Sequence, residues 1–405
     1  MSRGRLPPVH SPVTLAALAR GARALSGGAA ASNAATGVGE WITATFAPRR
    51  WLLVDSGTSA LRLALQHAVQ GRESRRIALP AYGCYDLATA CDGAEVEAVL
   101  YDIDPATLGP DWDSYAAALA TAPAAVVLAH LYGVPVDLER ATALAHSRGV
   151  RIIEDAAQGA GGSWQGRALG SFGDYAVLSF GRGKGITGGG GGALLLHTEA
   201  ALDPALPAIP ASGGGLKRLA LALAQRELSR PWIYWLPASL PFLGLGDTRY
   251  QPAHPPTGMA PACLGLLAGN LAATGPESDT RRRTAERFTA ALSASDQVRI
   301  PSVSPAAVAG YLRFPVVART AEIATALTHL GAHLGSAPGY PASLRDLPGF
   351  TRASVPAGSD MPGARALARR LITLPTHSRV DRRSLGRIED LIGVSDRDLV
   401  DSDGS

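Results

Sequence analysis

Residues 150–196 read VRIIEDAAQGAGGSWQGRALGSFGDYAVLSFGRGKGITGGGGGALLL and contain three short apolar runs that are typical of β-strands. Asp155 follows the first run, Ser179 lies at the end of the second, and Lys184 comes five residues after Ser179. Consecutive glycines at 188–192 precede the third run, although glycine weakens ordinary helices and strands. The stretch therefore predicts strands with polar side chains at their carboxyl ends. It also predicts that the backbone of the glycine run makes close contacts that a side chain would prevent.

The residues before this stretch alternate between strand-like and helical patterns. Strands are predicted by WLLVDSG (51–57), RIALPAYG (76–83), AEVEAVLYDID (94–104) and AAVVLAHLYG (124–133), and helices by TSALRLALQHAV (58–69) and LERATALAHSRG (138–149). This order favours an α/β domain with a mostly parallel sheet covered by helices on both faces. Because ligands of such sheets bind at the carboxyl ends of the strands, the polar residues above are candidate site residues.

The composition indicates a compact globular protein and argues against several classes of function. Of the 405 residues, 46% are hydrophobic and 18% are charged, which suits two or three domains with their own cores. The net charge of +4 comes from scattered arginines, so we expect an anionic small-molecule ligand and no nucleic acid. Cys84, Cys91 and Cys263 match neither a disulfide framework nor a zinc site, and Arg20 and Arg23 interrupt the apolar N-terminal stretch. We therefore expect a cytoplasmic protein without a bound metal.

Three features at predicted strand ends fit the same cofactor: a lysine, an aspartate and the start of a helix. A Schiff-base lysine needs a neighbouring group that keeps the cofactor ring poor in electrons, and an aspartate facing a pyridinium nitrogen provides this. Lys184 and Asp155 are the candidates. The turn DSGTSAL (55–61) places Gly57 and Thr58 between a strand and a helix, where backbone N–H groups bind phosphate. Together these features indicate pyridoxal phosphate (PLP).

Each of these residues also has an ordinary structural interpretation. Lys184 could be a solvated loop lysine, Asp155 could cap a following helix, and SGTSAL could be a simple capped helix start. His130 is interpreted as a packed, hydrogen-bonded histidine rather than a base. The run RRRTAER (281–287) is interpreted as the solvated face of a helix with salt bridges, and contact with an anion is the alternative.

The pattern changes in the second half of the chain. Residues 202–250 are rich in proline and aromatic residues, and LKRLALALAQRELSR (216–230) predicts an amphipathic helix flanked by basic residues. With the aromatic residues that follow, residues 216–245 could contact a membrane surface weakly, or could pack over the active site or a dimer surface.

Farther on, helices are predicted by RRRTAERFTAAL (281–292) and PGARALARRLITLP (362–375), and a strand by GYLRFPVVA (310–318). We therefore predict an N-terminal segment and large cofactor-binding domain over 1–250, a connecting helix and small α+β domain over 251–400, and a tail over 401–405.

The sequence resembles the DegT/DnrJ/EryC1/StrS family of PLP enzymes, which have the aspartate-aminotransferase fold (fold type I) and mostly act as sugar aminotransferases. The resemblance rests on SGTSALRLAL (56–65), IALPAYGCYDLATA (77–90), HLYGVPVDLE (130–139), the block 152–194 and LITLPTHSRVD (371–381). These segments follow the order of the family, and the block 152–194 is the most specific.

The resemblance implies a role for each candidate residue. Lys184 would carry the cofactor as a Schiff base and move the proton, Asp155 would pair with the pyridine nitrogen, and Gln158 would contact the ring oxygen. The phosphate would be bound by Gly57, Thr58 and Ser179. An aromatic residue of PAYGCYD (80–86) would stack on the ring; strict spacing points to Cys84, whereas the nearest ring is Tyr85, which we take as the stacking residue.

The sequence departs from the family pattern in two places. Members carry an Asn-x-Arg element that reaches the cofactor phosphate of the neighbouring subunit, and no such Asn or Arg precedes Met259 here. The usual His-Pro-Thr before the lysine is replaced by Gly-Arg-Gly, which puts Arg182 two residues from Lys184. Arg182 is therefore a candidate for binding a substrate carboxylate or phosphate.

The resemblance implies a homodimeric aminotransferase that moves an amino group from a donor such as L-glutamate to a keto group, most simply that of a nucleotide-linked sugar. A cyclitol or other non-sugar ketone from secondary metabolism is the alternative acceptor. A catalytically inactive PLP-binding regulatory or scaffold protein is the third hypothesis. Lys184 argues against the dehydratase branch of the family, in which a histidine replaces the lysine.

Overall fold

The computed structural model describes residues 4–199, 206–240 and 249–393. The strands in these ranges are β1 (Arg50–Val54), β2 (Arg76–Pro80), β3 (Glu97–Tyr101), β4 (Ala125–Ala129), β5 (Arg151–Asp155), β6 (Ser163–Trp164), β7 (Arg167–Ala168), β8 (Tyr175–Ser179), β9 (Gly192–Leu196), β10 (Val298–Arg299), β11 (Ala307–Val308), β12 (Phe314–Ala318), β13 (Ala337–Pro338), β14 (Ala353–Ser354) and β15 (Leu371–Leu374).

The α-helices in the same ranges are α1 (Leu15–Ala24), α2 (Gly28–Phe46), α3 (Gly57–Val69), α4 (Asp86–Ala94), α5 (Trp112–Ala120), α6 (Leu138–His146), α7 (Leu216–Leu228), α8 (Trp235–Ala238), α9 (Pro261–Asn270), α10 (Thr274–Leu292), α11 (Ala321–Gly331), α12 (Pro362–Arg370) and α13 (Arg382–Gly393).

The main sheet has eight strands in the order β1-β9-β8-β5-β4-β2-β3-β14. The pairs from β8 to β14 are parallel, and β9 runs antiparallel to both β1 and β8. The central strands are continuous apolar runs because both faces of the sheet are covered; every residue of β4 and of β9 is buried. The predicted α/β class with a mostly parallel sheet is confirmed, and the strand-like runs of residues 51–196 form β1–β5, β8 and β9.

Helix α3 connects β1 to the rest of this sheet and packs against β8 and β9. It begins at Gly57 because Ser56 adopts an extended conformation and its hydroxyl accepts a hydrogen bond from Ser59 N at 3.0 Å. Its buried face includes Leu61, Leu65 and Val69. The start of α3 is thereby fixed at the carboxyl end of β1, beside the ends of β8 and β5.

A second sheet in the C-terminal part has the order β10-β12-β15-β13 and is antiparallel. Its apolar core includes Phe288, Phe314, Leu327 and Ile372. The prediction of one helix over 362–375 is wrong in its second half, because α12 ends at Arg370 and residues 371–374 form β15. The β-branched pair Ile372 and Thr373 is buried and pairs with β12 and β13, and this tertiary pairing outweighs the helical pattern.

Two further contacts were not part of the predicted pattern. Residues 353–354 add β14 beside β3, and helices α1 and α2 pack against α9. The domain boundary near residue 250 stays a prediction, and the tail 401–405 lies outside the described residues.

Candidate active site

The carboxyl ends of β5 and β8 bring two of the predicted site residues to one edge of the sheet. Asp155 is the last residue of β5 and Ser179 the last residue of β8, and these strands are parallel neighbours with Asp155 in register with Val177. The side of Asp155 away from β8 is flanked by β4, whose Ala129 is its partner in the ladder. Both side chains are half-buried.

The turn before α3 lies directly against Ser179. A Cβ added to Gly57 would be only 2.8 Å from Ser179 Cβ and 3.0 Å from Ser179 Oγ. The structure therefore brings Gly57 and Ser179 together, with Thr58 next in the helix. Because the first N–H groups of a helix have no acceptor within it, this turn and the Ser179 hydroxyl can form a cradle for an anion.

The glycine run 188–192 explains how the turn comes so close to the sheet. A Cβ on Gly192 would lie 2.5 Å from Ser56 O, and one on Gly191, which has φ +106°, would lie 2.6 Å from Met259 Cε. Gly191 N donates to Asp55 O at 2.9 Å. The glycines thus allow close contact with the turn and with the helices behind it.

Lys184 lies in the loop between β8 and β9, half-buried between two buried glycines. It is one of two lysines in the chain, the other being Lys217 on α7. The Ser11 hydroxyl donates to the Lys184 backbone carbonyl, which ties the lysine loop to the N-terminal segment. The charge of Lys184 opposes the rise in the pKa of both Asp155 and Cys84, so the lysine lies near these two residues.

The Asp155 carboxyl is placed in a setting that disfavours its charge. Burial raises the pKa of Asp155, while the hydrogen bond from Ala157 N (3.0 Å) and the charge of Lys184 act in the opposite direction. A cationic partner would therefore be stabilised beside this carboxylate. The hydrogen bond to Ala157 matches the alternative interpretation of Asp155 as a local cap, so both roles are open to this residue.

Cys84 and Tyr85 lie in different surroundings. Cys84 is near Lys184, and burial raises the pKa of its thiol to about 12. The Tyr85 hydroxyl accepts a hydrogen bond from Ala342 N at 2.9 Å, and its ring lies 6.3 Å from that of Tyr340. Stacking of Tyr85 on a cofactor ring stays a prediction, and Cys84 is the residue of this pair on which the charge of Lys184 acts.

A cluster of tyrosines that sequence reasoning missed holds Gln158. Tyr132 N donates to Gln158 Oε1 (2.8 Å), and Gln158 Nε2 donates to the Tyr340 hydroxyl (2.7 Å). The rings of Tyr132 and Tyr340 are stacked with centroids 5.8 Å apart, and Tyr82 completes the group. Tyr340 comes from the C-terminal part of the chain, and no local sequence pattern predicts this contact. The role of Gln158 toward a ring oxygen stays a prediction.

His130 is a packed histidine, as the sequence interpretation proposes. Its Nδ1 accepts from Val136 N (3.2 Å), which leaves the proton on Nε2, and Nε2 donates to Glu154 Oε1 (2.9 Å). Glu154 also accepts from the backbone amides of Gly170 and Phe172. These hydrogen bonds lower the pKa of Glu154 even though burial alone would raise it, and they fix the loop before β8.

Two arginine predictions have different outcomes. Arg182 is exposed, and its part in substrate binding stays a prediction. The solvated-face interpretation of 281–287 is wrong at Arg281, which is 1% exposed and donates through Nη2 to His10 O at 2.8 Å. Helical spacing puts Arg281 on the buried face of α10 with Glu277 and Phe288, and Glu277 is its ion-pair partner.

A cavity of about 350 Å³ adjoins this edge of the sheet without including its central residues. Its lining comes from α2, from the loop after β5 and from α10, and includes Trp41, Phe46, Ala156, Ala157, Ser179 and Arg282. Ser179 joins the cavity to the Gly57 turn, whereas Lys184 and Asp155 lie outside the lining.

The segment that precedes α9 runs beside the Gly57 turn. Thr257 N donates to Asp55 Oδ1 (3.2 Å), and His254 Nε2 lies 3.6 Å from Asp55 Oδ2. His254 and Thr257 therefore lie near the turn. The family resemblance predicts an Asn-x-Arg element in this segment, and the sequence has none before Met259. Within residues 4–199, 206–240 and 249–393, no group of three or more His, Cys, Asp or Glu side chains could hold a metal ion.

Comparison with known proteins connects this geometry to a family. Residues 40–207 match the model of the DegT/DnrJ/EryC1/StrS aminotransferase family. The chain is 38% identical over 143 residues to an L-glutamine:2-deoxy-scyllo-inosose aminotransferase of Streptoalloteichus tenebrarius, which covers 35% of this chain and 34% of that protein. It is 32% identical over 148 residues to a UDP-N-acetyl-3-dehydro-alpha-D-glucosamine 3-aminotransferase of Acidithiobacillus ferrooxidans, covering 36% of this chain and 40% of that protein.

The matched segments thus span little more than a third of these relatives, whereas the fold is similar over nearly the whole chain. The crystal structure of the sugar aminotransferase CalS13 from Micromonospora echinospora superposes with a TM-score of 0.73 at 22% identity, covering 96% of this chain and 99% of that one. At this identity the likeness shows a shared fold, which confirms the predicted fold class. The part of the chain that matches the model of the DegT/DnrJ/EryC1/StrS aminotransferase family, residues 40–207, carries β1–β9 and all the predicted site residues.

Proposed function

We propose that the chain is a PLP-dependent aminotransferase, which moves an amino group from an amino-acid donor to the keto group of a sugar or cyclitol. The supporting observation is that the ends of β5 and β8, the lysine loop and the Gly57 turn meet at one edge of the main sheet. The family is PLP-dependent, and the residues at this edge match what the cofactor requires.

The fit can be judged residue by residue. The Gly57 turn and the Ser179 hydroxyl suit the cofactor phosphate, since a helix start and a hydroxyl converge there with no Cβ between them. Asp155 suits the protonated ring nitrogen, because a cation would offset the cost of its burial. Lys184 suits the covalent position, because the alternative lysine, Lys217, lies exposed on α7.

The chemistry divides between cofactor and protein. When bound, PLP supplies a carbonyl carbon for amino exchange and a ring that accepts electrons. Asp155 keeps the ring nitrogen protonated by its negative charge. Lys184 Nζ, as a neutral amine, would take the proton from the α-carbon of the amino donor and would give a proton to the acceptor carbon that receives the amino group, which is general acid–base catalysis by one group.

Two classes of acceptor are supported. A nucleotide-linked keto-sugar suits the arginine-rich chain, with Arg182 near the lysine as a candidate for a carboxylate or phosphate group. A cyclitol ketone is favoured by the relative from Streptoalloteichus tenebrarius, which acts on an inosose and takes its amino group from L-glutamine. A homodimer in the cytoplasm is part of the same proposal.

Borohydride labelling tests the cofactor assignment. Protein loaded with PLP should be yellow, and reduction followed by peptide mapping should place the pyridoxyl group on Lys184. Lys184→Ala should lose the colour and the label, while Lys217→Ala, the matched control, should keep both because its side chain is exposed on α7. A label on Lys217, or a wild-type protein that gains no absorbance with PLP, would contradict the proposal.

An acceptor panel tests the substrate class. The loaded protein is given L-glutamate or L-glutamine, and bleaching of the absorbance shows the donor half-reaction, which a scaffold protein would not perform. Nucleotide-linked keto-sugars and keto-inositols are then added, and aminated products are followed by mass spectrometry. If only the keto-inositols are aminated, the acceptor is a cyclitol. If neither L-glutamate nor L-glutamine bleaches the absorbance, the protein is instead an inactive PLP-binding protein.

A further inference from the structure

The outward side of α7 and of the residues after it is apolar. Twelve large apolar side chains are exposed in the part of the chain that the structure describes, and eight of them lie between 216 and 240: Leu216, Leu221, Leu223, Leu228, Trp232, Trp235, Leu236 and Leu240. We call these eight residues the α7–α8 surface. Leu216 is 67% exposed and Trp232 66%, which is unusual for side chains of this size.

Some polar side chains of α7 contact the protein, while Lys217 and Arg218 are exposed. Arg226 Nη1 donates to the backbone carbonyl of Val13, and the side chain of Arg218 packs near Gly190. Ala222 is buried with Leu266 and Val13. A helix that served only the core would bury its leucines, whereas Leu216, Leu221 and Leu223 are at least half exposed. The exposed leucines and tryptophans therefore indicate a surface for a partner.

The charge of this segment limits the choice of partner. Between residues 206 and 240 the sequence has four basic side chains, Lys217, Arg218, Arg226 and Arg230, and one acidic side chain, Glu227. Glu227 is already paired with Arg226 and Arg230. The apolar surface therefore lies on a positively charged segment, which attracts an anionic partner and disfavours a second copy of the same surface.

We propose that the α7–α8 surface docks this protein onto an anionic lipid bilayer. Leucines would enter the boundary between headgroups and acyl chains, tryptophans suit the same depth through their apolar rings and polar N–H groups, and the basic side chains would contact lipid phosphates. The docking is peripheral, since none of the helices in the described ranges is long and apolar enough to cross a membrane.

The α7–α8 surface is close to the lysine loop. A Cβ on Gly189 would be 3.4 Å from Arg218 O and 3.5 Å from Ala222 Cβ, so the glycine run and α7 are in direct contact. A docked molecule would hold the loop that carries Lys184 close to the bilayer. The proposal does not depend on the chemistry at Lys184, and either can fail without the other.

Vesicle sedimentation with the full chain tests the docking. The wild type should pellet with vesicles of phosphatidylcholine and phosphatidylglycerol at low salt, and less with phosphatidylcholine alone or at high salt. Leu223→Glu should bind about tenfold more weakly or worse, and Lys217→Ala about fivefold more weakly. Leu330→Glu, which changes an exposed leucine on α11, is the matched control and should bind like the wild type. Unfolding midpoints of all variants check that each is folded.

A second measurement reports the depth of the tryptophans in the bilayer. Brominated acyl chains should quench wild-type fluorescence, and the double variant Trp232→Phe and Trp235→Phe should still bind but lose most of this quenching. No pelleting of the wild type at low salt would overturn the proposal, as would equal binding by Leu223→Glu. If the wild type ignores vesicles and Leu223→Glu converts a dimer to a monomer in sedimentation, the surface instead binds a second copy.

Discussion

Two regions of the molecule depart from the usual distribution of polar and apolar side chains, in opposite directions. At the ends of β5 and β8, Asp155 and Lys184 place charges in a partly buried setting, and burial raises the pKa of Asp155. On the α7–α8 surface, Leu216 and Trp232 hold about two thirds of their area in water. Neither arrangement favours folding by itself. Both arrangements indicate a ligand: a cation would offset the burial of Asp155, and an apolar partner would cover the exposed leucines and tryptophans.

The largest expected effect comes from Asp155→Asn, which removes the buried charge but keeps the size and shape of the side chain. Asp155→Asn should lower the rate of the donor half-reaction about 10²–10³-fold, because the ring nitrogen loses its ionic partner. The unfolding free energy should be unchanged or higher, since an asparagine has no charge to bury and can still accept from Ala157 N. Single-turnover absorbance and urea denaturation measure the two quantities. Near-normal turnover would show that Asp155 only caps the backbone.

The next effect concerns the contact between the Gly57 turn and the sheet. Gly57→Ala would place a methyl group 2.8 Å from Ser179 Cβ, so we expect a loss of about 1–3 kcal/mol in unfolding free energy and weaker PLP binding. Gly37→Ala on α2 is the matched control, because nothing lies within 4 Å of its added Cβ. It should keep PLP affinity and gain up to about 1 kcal/mol. Equal PLP affinity in both variants would contradict the phosphate role of the turn.

The smallest expected effect concerns the pH dependence of stability, to which the buried histidine His10 contributes. Burial and the charges of Arg379 and Arg281 lower the pKa of His10 to about 3, and its Nδ1 has no hydrogen-bond partner in the described part of the chain. Between pH 6.5 and 3 the unfolded chain therefore binds a proton that the folded chain does not, and stability falls as the pH falls.

From pH 7 to pH 5, the wild type should lose about 1–2 kcal/mol more unfolding free energy than His10→Gln. Urea denaturation at the two pH values gives the difference. The PLP absorbance at pH 7 should be the same in both proteins, because the substitution keeps the His10 backbone carbonyl that accepts from Arg281. An identical loss of stability in both proteins would mean that His10 is protonated in the folded state.

The parts of the fold that follow from local patterns were predictable from the sequence. The apolar runs that end in Asp155 and Ser179 form β5 and β8, and the capped start of α3 lies where SGTSAL predicts it. These features depend on residues close together in the chain. Because the carboxyl ends of parallel strands lie at the same edge of a sheet, the local pattern also predicts that the candidate residues lie close together.

The parts that depend on distant contacts were not predictable in the same way. Tyr340 reaches Gln158 from 182 positions away, and residues 371–374 become a strand because β12 and β13 pair with them. Arg281 is buried although its neighbours in the run are charged, because the N-terminal segment supplies His10 O as an acceptor. No local pattern records such partners, since each is created by packing between separate parts of the chain.

The hydrogen bond from the Ser11 hydroxyl to the Lys184 carbonyl has a consequence for folding during synthesis. The two residues are 173 positions apart, so this contact closes a very long loop. Chain entropy opposes such closures until other contacts have formed, and folds rich in them form slowly. A ribosome-bound fragment that ends before the lysine loop cannot make this contact at all. We therefore expect the loop that carries Lys184 to reach its final geometry after β1–β5 and β8, which precede it in the chain, have paired.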